Sequence, residues 1–222
     1  MLAPKTTGNN YVEQLDAYFE LGNAYLNDGN TDKALEYLLA AEVLAKKLNR
    51  NNTKSEIQYQ IGNTYIIRQE YQKAIEVLSE VVKAINAEGG KPLADAFYKL
   101  AQAYQTIGNN ELAFDYHFKS LKIREALEDK KGIAQSLYQI GGVHFFQGNH
   151  LKSIDYYKKC LKIGEEIDNP SIKLSSLSAI GACYSRLGKV EESLKFNLEA
   201  YDIAKAVNNK MGLAYVLSLI HI

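Results

Sequence analysis

Apolar residues recur along this chain at helical spacing, and nowhere at the alternating spacing of a strand. Leu35, Leu38, Leu39, Val43 and Leu44 show the rule, with three- and four-residue steps that gather them on one side of a helix. Polar, turn-rich stretches break the pattern at regular intervals: Asn49–Asn52, Glu88–Lys91, Asp129–Lys131, Asp168–Pro170 and Asn208–Lys210. Asn169-Pro170 reads as a helix start, an N-cap followed by a proline where a missing N–H does no harm. The pattern predicts short helices joined by tight turns.

The helices come in a repeat. Leu21-Gly22-Asn23-Ala24-Tyr25 returns as Ile61-Gly62-Asn63-Thr64-Tyr65, Leu100-Ala101-Gln102-Ala103-Tyr104, Ile140-Gly141-Gly142-Val143-His144 and Ile180-Gly181-Ala182-Cys183-Tyr184. Successive starts lie 40, 39, 40 and 40 residues apart. A second marker follows in register, Gly29-Asn30, Gln69-Glu70, Gly108-Asn109, Gly148-Asn149 and Gly188-Lys189. A Gly-Asn pair ends one helix in a left-handed residue and offers an asparagine cap to the next. A third marker is Ala34, Ala74, Ala113, Ser153 and Ser193, each trailed by Tyr37, Val77, Tyr116, Tyr156 or Phe196. Each unit therefore reads as two antiparallel helices, and the small residues at 22, 62, 101, 141 and 181 let the pair approach closely. The expected layout is a polar segment at 1–10 and an array over 11–216. That array holds repeats near 11–50, 51–90, 91–129, 130–168 and 169–208 plus the start of a sixth, and a tail follows at 217–222.

These markers resemble the tetratricopeptide repeat (TPR) motif, a Leu-Gly-x-x-Tyr element followed by Gly and then Ala-x-x-Tyr/Phe. The period exceeds the usual one of about 34 residues. It is similar to the longer-helix subclass found in kinesin light chain and bacterial signalling proteins. The resemblance implies an all-α fold, a right-handed α-solenoid of antiparallel helix pairs (the TPR superhelix).

Composition narrows the partners. Lys and Arg total 26, as do Asp and Glu, so no global basic excess draws the chain to nucleic acid or an anionic membrane. No apolar run approaches the ~18 residues of a membrane span, and no secretory signal pattern is visible. Two cysteines, Cys160 and Cys183, make no disulfide framework and fit a reducing, cytoplasmic setting.

Catalytic and cofactor signatures fail. Gly89-Gly90-Lys91 lacks the upstream glycine and the following Ser/Thr of a phosphate loop and reads as a linker. His117 and His144 fall on repeat core positions and His150 opens a helix, so no His/Cys cluster has metal spacing. Cys160 and Cys183 read as buried small hydrophobes. The expectation is no catalysis, no metal and no cofactor.

Function in such repeats belongs to the concave surface lined by the first helix of each pair. The family register implies three columns there. Phe19, Tyr59, Tyr98 and Tyr138 form an aromatic column, able to bury large area at little entropic cost. Asn23, Asn63 and Gln102 form an amide column that can donate to and accept from a peptide backbone. Asp16, Glu56 and Asp95 form an acidic edge, while Ile66, Phe145 and Phe146 add apolar contacts. The carboxylate clamp of chaperone-binding TPR domains is not expected, because Phe19 and Tyr59 stand where it would want lysine.

The leading reading is a protein-protein interaction module holding an extended peptide or partner helix in this groove. Basic residues of the ligand would lie over repeats one to three, and apolar ones near Phe145 and Phe146. The alternative is the sensory half of a bacterial signalling protein, a kinase, cyclase or transcription regulator, whose output domain lies downstream. Rap-type regulation of a response regulator ranks below both. The sixth repeat would place His221 at the small-residue position. Leu217-Ser218-Leu219-Ile220-His221-Ile222 matches the translation of a transposon end used in sequencing libraries, so the tail is expected to be non-native read-through, with the natural chain continuing past Val216. Amplification across this junction checks that expectation. An open frame that diverges after Val216 supports it, and a stop codon directly after Ile222 overturns it.

Overall fold

The computed structural model describes residues 6–85 and 89–220, so Glu88, His221 and Ile222, on which expectations were placed, lie outside the described residues. Eleven helices and no strand occur among the described residues. They are α1 (Thr6–Asn27), α2 (Thr31–Lys47), α3 (Asn51–Ile67), α4 (Tyr71–Ala84), α5 (Gly90–Thr106) and α6 (Asn110–Ala126), then α7 (Lys130–Phe146), α8 (His150–Glu166), α9 (Pro170–Arg186), α10 (Val190–Ala206) and α11 (Lys210–Ile220). Two compact units are present: α1–α5 lie in the first, which ends at Asn109, and α6–α11 in the second, which starts at Asn110. Within each unit, helices pack on their neighbours in the chain. α1 begins inside the stretch expected as a polar N-terminal segment.

Turn chemistry follows the markers with two departures. Gly29, Gly108, Gly148 and Gly188 take positive φ, the left-handed conformation that ends a helix without a Cβ clash. Gln69 takes the same conformation in place of glycine. Asn30 accepts from the Lys33 N–H at 3.2 Å and Asn169 from the Ile172 N–H at 3.1 Å, so both cap as expected. Asn149 makes no side-chain cap bond.

Helix pairs close through glycine. A Cβ at Gly22 would lie 2.7 Å from Leu38 Cγ, and one at Gly141 would lie 2.7 Å from Tyr157 Cε1. These contacts leave no room for a side chain. The Ser153 hydroxyl donates to the Gly141 carbonyl at 2.7 Å, and Ser193 does the same to Gly181 at 2.9 Å, where the earlier repeats carry alanine. The cores behind these contacts are apolar: Leu15, Leu38, Ile57 and Ile61 in the first unit, Leu137, Ile140, Ile180 and Val216 in the second.

The second unit also buries charge. Arg124 is 3% exposed and donates to the Gly132 carbonyl at 2.8 Å and the Ser136 hydroxyl at 3.1 Å. Burial, and then the Arg124 charge, push the His117 pKa down from 6.5 to about 3. His117 and His144 do occupy core positions, the first fully buried and the second half-buried between Phe114 and Tyr156 at ring distances of 5.6 and 5.4 Å.

Two outcomes follow. Gly141→Leu should destabilise the second unit by roughly 1–3 kcal/mol or more through overpacking against Tyr157. Hydrogen exchange should place the loss around α7 and α8, with α1–α4 still protected. The unfolded chain binds a proton at His117 that the native state refuses between pH 6.5 and about 3, so stability is present above that window and lost as pH falls through it. Urea unfolding at pH 7 and pH 4 should therefore show a smaller acid loss in His117→Leu than in the wild type.

Candidate functional site

Helical spacing decides which side chains share a face. Asp16, Phe19 and Asn23 on α1 are separated by three and four residues, as are Glu56, Tyr59 and Asn63 on α3 and Asp95, Tyr98 and Gln102 on α5. In the first unit, Asp16 and Glu56 are exposed and Asp95 is half-buried. Phe19, Tyr59 and Tyr98, the amides Asn23, Asn63 and Gln102, and Ile66 are all half-buried. The rings are therefore partly used as core already. Phe19 packs on the cluster of Leu15, Leu38, Ile57 and Ile61, which fixes its orientation.

A cavity of about 710 Å³ opens in this unit. Phe19, Glu56, Tyr59 and Asp95 line it together, so four of the sequence-derived residues meet at one place. Asn51, Asn52, Ser55 and Gln60 of α3 complete one side, and Val81, Ala84, Ile85 and Pro92 supply apolar wall. Sequence reasoning missed these. The cavity adjoins the end of α4, which spans 14 residues where the later helices α5 to α10 span 17. Ile85 turns extended at its C-cap. The Gly89-Gly90 pair and Pro92 were the available signal, because they mark a join of irregular length.

Charge at the cavity is uneven. Burial pushes the Lys99 ammonium pKa down while Asp95, one turn earlier, pulls it part of the way back. Lys99 thus offsets some of the Asp95 charge, and Glu56 is the exposed carboxylate of the two. Asn23, Asn63, Ile66, Tyr98, Gln102 and Asp16 do not line this cavity.

The remaining sequence-derived residues lie in the second unit. Tyr138 is half-buried against Tyr157 at 5.1 Å between ring centroids. Phe145 is half-buried, with Phe146 at 5.8 Å and His150 at 5.2 Å, while Phe146 is 72% exposed.

Among the described residues, no three His, Cys, Asp or Glu side chains are grouped to hold a metal ion. Cys160 and Cys183 are buried free thiols whose pKa values burial pushes up, which removes thiolate character. No helix of the described residues is long and apolar enough to cross a membrane.

A tetratricopeptide repeat family model matches residues 53–126 and 132–206, and a second matches 15–47. The chain belongs to the tetratricopeptide repeat family. Its fold is the all-α solenoid type of TPR proteins. The aspartyl phosphate phosphatase F of Bacillus subtilis superposes with a TM-score of 0.87 at 15% identity, over 97% of this chain and 57% of that one. BtubC (BKLC) of P. vanneervenii gives 0.78 at 18% identity, over 89% of this chain and 81% of that one. At such identities the likeness is one of fold. The outer dynein arm-docking complex subunit 4 of Danio rerio is 32% identical over 123 residues, 55% of this chain. The chain spans only 24% of that relative's length.

Proposed function

We propose that this TPR chain is a non-catalytic protein-interaction module of the cytoplasm that holds an extended peptide segment along α1, α3 and α5. The observation that carries the reading is the cavity where Phe19 and Tyr59 stand beside Glu56 and Asp95. Aromatic rings held by core packing give contact area without losing rotamer freedom on binding. The half-buried amides Asn23, Asn63 and Gln102 on the same helices offer paired donors and acceptors to a backbone of any sequence. Carboxylates at Asp16, Glu56 and Asp95 favour a segment with basic residues over the first three repeats. Exposed charge pairs contribute only about 0–1 kcal/mol each, so the acids set orientation and association rate more than affinity.

A random peptide library screened against the purified protein at low and physiological salt tests this. Basic peptides should be selected, with tighter binding at low salt. Tyr59→Ala and Tyr98→Ala should each weaken binding by about 1–2 kcal/mol or more, with helix content by circular dichroism unchanged. Selection of acidic peptides, or binding indifferent to both substitutions, would place the ligand elsewhere.

A further inference from the structure

The cavity in the first unit has a composition that peptide contact in general does not require. We propose that it is a receptor for one arginine side chain of the bound segment, an assignment that rests on the groove reading above.

The wall from the end of α4 is apolar: Ala84 and Ile85 offer its accessible surface, together with the buried Val81. A long aliphatic stem loses water against such a wall, which a short polar side chain cannot exploit. Phe19 and Tyr59 add ring faces, and the Phe19 ring is held by the core cluster behind it. Glu56 and Asp95 bring carboxylates from two different helices to the same space.

Stem, ring face and paired acids together select among side chains. A neutral apolar group would fill the wall but shield the exposed Glu56 carboxylate from water with nothing in exchange. An acidic group would be repelled. Lysine would satisfy the charge, but its ammonium is strongly hydrated and gains less from a ring face. A guanidinium is planar, weakly hydrated and always charged, so it can lie on an aromatic ring while its edge donates to carboxylates. Lys99 works against the ligand by offsetting Asp95. Removing that ammonium should strengthen the site, an effect that damage to the fold would not produce.

The test titrates the isotope-labelled full chain with the pentapeptide Ac-Ala-Ala-Arg-Ala-Ala-NH2 and its lysine and citrulline counterparts, followed by NMR. The arginine peptide should shift the amides of Glu56, Tyr59 and Asp95. It should bind about threefold tighter than the lysine peptide and about tenfold tighter than the uncharged citrulline one. Glu56→Gln should weaken the arginine peptide about fivefold, and Lys99→Met should strengthen it about two- to threefold. Equal binding of arginine and citrulline, shifts confined to other residues, or no shift at all would overturn the arginine assignment. In each of these cases the groove reading stands if library peptides still depend on Tyr98. If no library peptide binds the chain, the groove reading fails and the arginine receptor falls with it.

Discussion

Close approach of paired helices rests on a glycine in the first helix opposite a bulky side chain in the second: Gly22 over Leu38, Gly62 over Leu78 and Gly141 over Tyr157. Interiors are packed at crystal density, so a methyl group at such a point has nowhere to go. Helix spacing then sets where the outer faces stand. The aromatic, amide and acidic positions on α1 and α3 keep their common orientation because both helices are held at the same depth by the same kind of contact. The fifth pair keeps the glycine and changes its partner. Gly181 meets Asn197, which is 1% exposed and leaves its side-chain oxygen without a hydrogen bond. Burying that oxygen unsatisfied costs about 1–3 kcal/mol relative to the leucine of the first two repeats.

The fold was legible because the markers that define it act locally. Glycine at the left-handed turn position, asparagine or proline at a helix start, and a small residue at the crossing each have one physical use, and their shared period repeats the statement five times. Gln69 adopts the glycine conformation without being glycine, and in sequence it is only an imperfect match. The buried Arg124 was not legible. A charged residue on a helix reads as solvent-facing, and hydrogen bonds such as those to the Gly132 carbonyl and the Ser136 hydroxyl make its burial tolerable.

The candidate site was legible in part. Helical spacing put Phe19, Glu56, Tyr59 and Asp95 on the inner faces, and they meet at one cavity. Its apolar wall was hidden, because Val81, Ala84 and Ile85 belong to the end of a second helix, where a periodic reading sees only core. α4 spans 14 residues where α5 spans 17, and Ala84 and Ile85 stand at its end, outside the core that buries Val81. Nor could spacing reveal how far the rings are already spent on internal packing, as Tyr138 is against Tyr157.

The turns differ according to which helices they connect. Inside a pair the left-handed residue is glycine in every repeat but the second, whereas between pairs it is Asn49, Glu128, Asp168 or Asn208, with Gly90 the exception. A Cβ in that conformation stores roughly 1–2 kcal/mol, less for asparagine and aspartate. Paired helices also share more packing than successive pairs do within each unit. Within each unit, weak seams therefore alternate with strong hairpins. Pulled from its ends, such a unit is expected to part at the seams and release its hairpins one at a time. With a period of 40 residues, each release would lengthen it by about 140 Å of extended chain. The repeat is thus a unit of mechanical yielding as well as a unit of folding.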